Sequence, residues 1–256
     1  MWNAVTRAIS PALGRCELSH IERTPIDVAL AITQHHQYLR ALDAAGCRVL
    51  TLPEQAGLPD SVFVEDVAIV LNEVAVMTRP GAPSRRPEVA SVAELLCHHR
   101  PLEAIEEPGT LDGGDVLRID RRLYVGQSAR SNTDGIAQSR KLLAAHGYAV
   151  QGVAMRHCLH LKSAVTALDE HTVLLQPAWV DRGCFADFRI IEVDPGEAHA
   201  ANVLRIGDAL IMPAGFPRTR QRLLDAGFKV TAVDVSELQK AEGAVTCCSL
   251  LFRSDP

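Results

Sequence analysis

The chain has no surplus of positive charge. Its 26 Lys and Arg stand against 31 Asp and Glu, a formal net charge of −5 with the ten His neutral. Polyphosphate partners are held mainly by lysine and arginine, so no nucleic acid is expected as a partner. No apolar run approaches the roughly 20 residues that span a bilayer, so no membrane is expected either. The opening stretch, MWNAVTRAISPALG, lacks the long apolar core of a secretory signal, and a cytoplasmic location is the expectation. The seven Cys, at 16, 47, 97, 158, 184, 247 and 248, are odd in number and irregularly spaced. In a chain that is not small this argues against a disulfide framework and for reduced thiols, most of them buried as small apolar residues. Neither a CxxC pair nor HExxH occurs. The one ligand-like stretch is His157-Cys158-Leu159-His160, and on a strand its members would point in different directions. TLDGGD (110–115) has two glycines, but its Asp residues would repel a phosphate.

What is present is ordinary for a soluble globular protein: 256 residues, 47% apolar and 22% charged, enough for a substantial core. The chain also repeats itself. Residues 66–81, 115–128, 163–180 and 202–216 each hold two short apolar runs around a polar turn, centred on Asn72-Glu73, Asp120-Arg121, Asp169-Glu170 and Gly207-Asp208. A fifth stretch, GAVTCCSLLF (243–252), reads as one buried strand whose missing partner is residues 3–10, a pairing that would close a ring. Between hairpins, helical stretches end in a small residue and Gly and lead into a Val-containing strand, at 39–53, 141–153 and 222–234. Gly46, Gly147 and Gly227 suit the left-handed position that stops a helix. Residues 87–100 form a fourth helix without the Gly, and 180–200 is the least regular interval. Thr24-Pro25-Ile26-Asp27, with Thr24 as the cap, Pro at the first helical position and an acid three on, marks a helix start, and Ser131-Asn132 and Pro217-Arg218-Thr219 likewise precede helical stretches. Hairpins argue against a doubly wound sheet or a (β/α)8 barrel, because purely parallel sheets need a crossover after every strand. The expectation is one α/β domain over 1–256, a five-bladed propeller of hairpin-helix-strand units.

The chemically capable residues recur at one place in the unit, at or just before the first strand of each hairpin. They are Asp60, Glu65 and Asp66 in unit one, Asp112 and Asp115 in unit two, and His157, His160 and Lys162 in unit three. Asn202 follows in unit four and Cys247 in unit five. In a closed ring these positions converge on the axis. Each also has a plainer reading. A lone acid at a strand start is usually a turn or cap residue. Asp112-Gly113-Gly114-Asp115 reads equally as a tight turn with glycines at positive φ. Phe63 and the Cys247-Cys248 pair read as core packing, and His160 as a satisfied core histidine. The functional reading gains from an acidic patch, a His and a Cys at matching places in different repeats.

Together these residue types suit covalent catalysis on a cation. A free thiol is mostly protonated at neutral pH, and a bound cation favours the thiolate. Paired carboxylates match the donor fork of a guanidinium, whose central carbon is electrophilic. His160 has the chemistry to protonate the departing amine and then to activate water. Adjacent strand side chains face opposite ways, so only one of Cys247 and Cys248 is expected to face the site.

The segments PDSVFVEDVAIV, TRPGAPSRRPE, TLDGGDVLRI, LYVGQSARSN, LHLKSAV, AANV and AVTCCSLLF resemble, in order, the signature segments of the dimethylarginine dimethylaminohydrolases. That family is part of the guanidine-modifying superfamily. The resemblance runs from about residue 58 to the end and implies the same five-bladed propeller. It implies Cys247 as nucleophile, His160 as general acid and base, and Asp112 as the acid that orients the histidine. Glu65 and Asp66 then contact the substituted guanidine, and Asp60 lies near the substrate's α-amino group. Arg85 and Arg130 clamp its α-carboxylate, Phe63 walls the pocket, and Leu18 supplies a lid carbonyl. The implied partner is a small guanidino amino acid, with no cofactor and no catalytic metal, and a homodimer is left open. Two departures stand out. Asp112 occupies a position where some members carry Glu, and residues 10–29, the lid region, match poorly. Two further readings stay beside the methylarginine hydrolase: the same chemistry on arginine or another small guanidine, and a noncatalytic binder of cationic amino acids.

Overall fold

The computed structural model describes residues 1–253. Among the described residues, fifteen strands form five three-stranded sheets of one design. In each, two strands pair antiparallel, joined in four of the five by a short hairpin, and the second strand pairs in parallel with a third. The sets are β3 (Ala68–Val70), β4 (Ala75–Met77) and β5 (Leu102–Ala104); β6 (Val116–Ile119), β7 (Arg122–Gln127) and β8 (Ala149–Ala154); β9 (Val165–Ala167), β10 (Thr172–Leu175) and β11 (Arg189–Glu192); and β12 (Leu204–Ile206), β13 (Ala209–Pro213) and β14 (Lys229–Val233). The remaining sheet joins the chain ends. β1 (Trp2–Arg7) lies antiparallel to β15 (Leu250–Arg253), with Asn3 opposite Phe252, and parallel to β2 (Cys47–Leu52). The first strands β3, β6, β9, β12 and β15 together line one central cleft of about 400 Å³. The architecture is the five-fold pseudo-symmetric α/β propeller that the repeat implied, closed as expected by the N-terminal strand.

Helices on the outside carry the parallel connections: α1 (Val28–Ala44), α2 (Val89–Leu96), α3 (Thr133–Ala144) and α5 (Pro217–Asp225). In the third blade a single 3-10 turn, Arg182–Phe185, takes that place, which is why 180–200 has no helical periodicity. Each helix buries one face against the sheets, mostly apolar in α2 and α3 and mixed in α1, where Gln34 and His35 are buried with Tyr38 and Leu42. Ile136 and Leu143 of α3, for example, are buried with Leu123, Val125 and Val150 of their own sheet, and burying each such side chain contributes roughly 1.5–3 kcal/mol. Gly46, Gly147 and Gly227 do take positive φ, at 88°, 75° and 93°.

Two local expectations differ from the structure. The cap of α1 is Asp27, whose carboxylate accepts from Leu30 N at 3.0 Å, and not Thr24. Residues 24–27 are drawn off as a strap, since Asp27 N donates to Glu237 Oε2 at 2.8 Å and Pro25 O accepts from Lys240 Nζ. The stretch 243–252 is strand only from Leu250; residues 245–248 form a turn. Their backbone groups bond elsewhere: Thr246 N donates to the Asn202 side chain at 3.1 Å, and Cys247 O accepts from Glu65 N at 3.1 Å.

That turn has counterparts. A 3-10 turn, Val64–Val67, precedes β3; another, Gly113–Asp115, precedes β6; and the one-turn helix α4 (Leu161–Ala164) precedes β9. The residues that the sequence placed at strand starts therefore sit on short turns at one end of the axis.

Candidate active site

On one side of this layer of turns lies a buried pocket whose lining includes Asp60, Phe63, Asp66, Arg85, Arg130, His160 and Cys247. Cys247 is 8% exposed and His160 is 4% exposed. His160 occupies the residue before α4, and its Nε2 lies 3.0 Å from Asp112 Oδ2. Its Nδ1 faces Asp66 Oδ1 at 3.8 Å. Asp112 is fully buried behind the histidine, and its other oxygen accepts from Gly81 N at 2.9 Å. Asp66 Oδ1 accepts from Gly114 N at 2.9 Å, while Oδ2 accepts from Arg85 Nη1 in a short ion pair.

The paired glycines of TLDGGD are there for close approach, and neither has positive φ. A Cβ on Gly113 would lie 2.0 Å from the Glu65 carbonyl oxygen; one on Gly114 would lie 2.6 Å from His160 Nδ1 and 2.7 Å from Asp66 Oδ1. Gly243 makes room for Phe63 in the same way, with a Cβ position 2.1 Å from the ring.

The electrostatics follow from burial and from which charges face each other. Burial alone disfavours a charged imidazole, yet His160 is raised from 6.5 to about 9. Asp66, the Asp112 hydrogen bond and Asp115 together outweigh the desolvation. Asp66 is likewise opposed by burial but held down at about 2 by His160 and Arg85. The Cys247 thiol is pushed up to about 12, first by burial and then by the negative charges of Glu65 and Asp66. The resting site thus pairs an imidazolium with a neutral thiol. Asp115 lies deeper, raised to about 6 by burial, and holds the scaffold by accepting from Ser128, Ser131 and Leu161 N. Asp66, Asp112 and His160 bring one ligand atom each to within 4.8 Å of one another, a metal-like grouping. Their atoms are already engaged by backbone N–H groups, by Arg85 and by each other, which suits proton chemistry.

The remaining expected residues are placed as follows. Asp60 spends both carboxylate oxygens on Glu17 N, at 3.3 and 3.1 Å. Arg130 reaches Ser19 Oγ at 3.2 Å, with Asp112 Oδ2 3.7 Å away. Arg85 is 3% exposed and each of its three side-chain nitrogens is engaged, Nε and Nη2 by the two oxygens of Glu88, Nη1 by Asp66, and Nη2 also by the carbonyls of Asp60 and Phe63. Glu65 is absent from the pocket lining. One oxygen accepts from Lys162 Nζ at 2.6 Å and the other from Thr246 Oγ1 at 2.8 Å, on the side of the central cleft. Leu18 packs, half-buried, against the core cluster that contains Phe63 and Cys247. Cys248 is 1% exposed, outside the pocket lining, and its thiol donates to Ala244 O at 3.4 Å. The two cysteines separate as expected, by a turn and not by strand alternation.

Sequence reasoning missed Glu242, which lines the pocket rim. Its carboxylate accepts from three successive lid amides, Ser19 N and Ile21 N at 2.9 Å and His20 N between them. Its signal was slight: an acid before Gly243, at the positive φ of 57° that favours Gly or Asn. Residues 16–27 contain no helix or strand; Glu242 and Asp60 tie them to the pocket, and Arg23 folds the segment on itself through Gly14 O and Cys16 O.

Fold and site define a propeller hydrolase class, with a buried thiol, an imidazolium and carboxylates gathered from separate blades. The family profile described as "N,N dimethylarginine dimethylhydrolase, eukaryotic" matches residues 21–252. A dimethylarginine dimethylaminohydrolase of Pseudomonas aeruginosa is 40% identical over 228 residues, 88% of this chain and 90% of that protein. One of Streptomyces coelicolor is 41% identical over 252 residues, 98% and 96% of the two chains. Among solved structures, a cysteine-to-serine variant of the P. aeruginosa enzyme complexed with citrulline superposes with a TM-score of 0.94 at 36% identity, covering 98% of this chain and 100% of that one. The chain belongs to the dimethylarginine dimethylaminohydrolase family.

Proposed function

We propose that the pocket hydrolyses Nω-methylated arginines, asymmetric dimethylarginine and monomethylarginine, to citrulline with release of dimethylamine or methylamine. The observation that carries this is His160, held as an imidazolium between Asp112 and Asp66 in the pocket that also contains Cys247. The citrulline complex of the P. aeruginosa relative supports the product class. The reading takes 1–256 as one catalytic domain.

A substrate guanidinium that pairs with Asp66 brings a positive charge beside the thiol. It thereby offsets the two carboxylates that, with burial, hold the thiol neutral. The thiol gives up its proton to solvent as the cation binds, and the thiolate attacks the guanidinium carbon, forming the C–S bond as the C=N π bond opens. The tetrahedral adduct collapses as the C–N bond to the substituted nitrogen breaks, and that nitrogen takes its proton from His160 Nδ1. Asp112, on Nε2, fixes the ring so that Nδ1 is the atom that works. The neutral imidazole then accepts a proton from water as its oxygen adds to the thiouronium carbon. Breaking the C–S bond, as the added hydroxyl passes its proton to the departing sulfur, returns the neutral thiol, the imidazolium and citrulline. Asp60 closes the lid through Glu17, and Arg130 at the rim meets the α-carboxylate. Arg85 lines the pocket and buttresses Asp66 and Glu88.

The test is citrulline formed from asymmetric dimethylarginine and, separately, from arginine, with Cys247→Ser alongside. Citrulline from the methylated substrate, lost in the variant, is the expected result. Citrulline mainly from arginine, with ammonia as the released amine, would move the reading to a deiminase. Ligand-dependent thermal stabilisation without product would leave a binder.

A further inference from the structure

Unit four supplies no group to the pocket, yet Asn202 stands at the position where the other units carry their reactive residues. It is 3% exposed, and its amide is fully spent on two partners. Oδ1 accepts from Thr246 N at 3.1 Å; Nδ2 donates to Thr246 Oγ1 at 3.0 Å and to Lys162 O at 3.3 Å. Thr246 Oγ1 in turn donates to Glu65 Oε2, and Glu65 Oε1 accepts from Lys162 Nζ. These bonds close a loop through units one, three, four and five, directly beneath the residue that follows Thr246, which is Cys247. Glu65 N adds a bond to the Cys247 carbonyl at 3.1 Å. Because 245–248 is a turn without ladder partners of its own, these bonds fix its backbone.

We propose that Asn202, acting through Thr246, is a positioning residue for the Cys247 nucleophile. The proposal rests on the reading of Cys247 as the nucleophile of a guanidine hydrolase. A two-point amide clasp sets both the height and the rotation of the Thr246 peptide, and with it where Sγ stands over the substrate carbon. Neither Asn202 nor Thr246 lines the pocket, so loss of the clasp misplaces the thiol without removing a substrate contact. A displacement of this kind costs up to about 100-fold in rate.

The experiment compares Asn202→Ala, Thr246→Val and Thr246→Ser with the wild type. The readouts are kcat and KM for asymmetric dimethylarginine, thermal stability, and alkylation of Cys247 by iodoacetamide, located by peptide mass spectrometry. Asn202→Ala and Thr246→Val are expected to lose about 10- to 100-fold in kcat with KM within about three-fold, and Thr246→Ser, which keeps the hydroxyl, to recover most of it. In Asn202→Ala the loosened turn alkylates at least about three-fold faster at Cys247, whatever the substrate, since local opening governs access to a buried thiol. A kcat within about two-fold of wild type in Asn202→Ala overturns the proposal, as does a fall in stability alone. Should the wild type form no citrulline, the proposed function fails by itself. The alkylation rate then still decides the clasp: faster supports it, and unchanged overturns it.

Discussion

The charge on His160 is open to a test that needs no substrate. A group whose folded-state pKa is raised binds its proton more tightly in the folded protein. Its contribution is therefore full below the unfolded pKa and is lost as pH rises through the folded one. For His160 that window runs from 6.5 to about 9. At about 1.4 kcal/mol per unit, the carboxylates around the imidazolium contribute about 3 kcal/mol at pH 6 and close to zero at pH 10. The perturbation is His160→Asn, which keeps a small polar side chain and removes the titration. Urea denaturation of both proteins from pH 6 to pH 10 gives the difference in unfolding free energy, in which groups remote from the imidazole cancel. The wild type is expected to lose about 3 kcal/mol relative to the variant across the range, mostly between pH 7 and 9. A difference constant to within about 0.5 kcal/mol would refute the reasoning. His160 would then be neutral at rest, and Nδ1 would have no proton to give the leaving amine.

Three further outcomes follow from the same geometry. Removing the Glu242 carboxylate, which gathers the amides of Ser19, His20 and Ile21, is expected in Glu242→Ala to raise KM roughly five- to ten-fold with less effect on kcat, because exposed charge-assisted bonds are worth about 1 kcal/mol after solvent screening. Unchanged KM, with no faster amide exchange at 19–21, would show that the lid is held by other contacts. Gly114→Ala drives a methyl between His160 Nδ1 and Asp66 and is expected to lower kcat by about 100-fold or more, whereas Gly215→Ala, with nothing within 4 Å of its Cβ position, should leave kcat unchanged. Cys248→Ser should retain activity within about two-fold, since its thiol bonds only to Ala244 O; abolished turnover in a folded variant would reassign the nucleophile.

The propeller was legible because its signals are local. Period-two apolar runs, turn pairs and a glycine after three of the helices recur in register, and nothing distant is needed to read them. Convergence of the reactive residues followed from the repeat, and the Asp112-His160 contact, 48 residues apart in sequence, is its outcome. What escaped depends on partners that a pattern does not contain. The Cys247 turn reads as strand because Val245, Cys247 and Leu250 are apolar; its true partners, Asn202 and Glu65, lie in other blades. Glu65 and Asp66 are adjacent carboxylates in one motif, so the sequence treated them alike. A single 3-10 turn sends them apart, Glu65 to Lys162 and Thr246, Asp66 to Arg85 and the imidazole. Arg85 in PSRRPE looks like a solvated surface arginine and Glu88 like its exposed neighbour, yet both are buried and joined three residues apart. The segment between 16 and 27 has no periodicity at all, because its backbone is held by hydrogen bonds to Glu242, Asp60 and Glu237, with Cys16, Leu18 and Ile26 packed at irregular spacing against the core. Residues fixed by repetition can be read from one chain. Residues fixed by a single distant carboxylate or amide become visible only when the blades are brought together, and at this site they are the ones that set where the lid, the acid and the thiol stand.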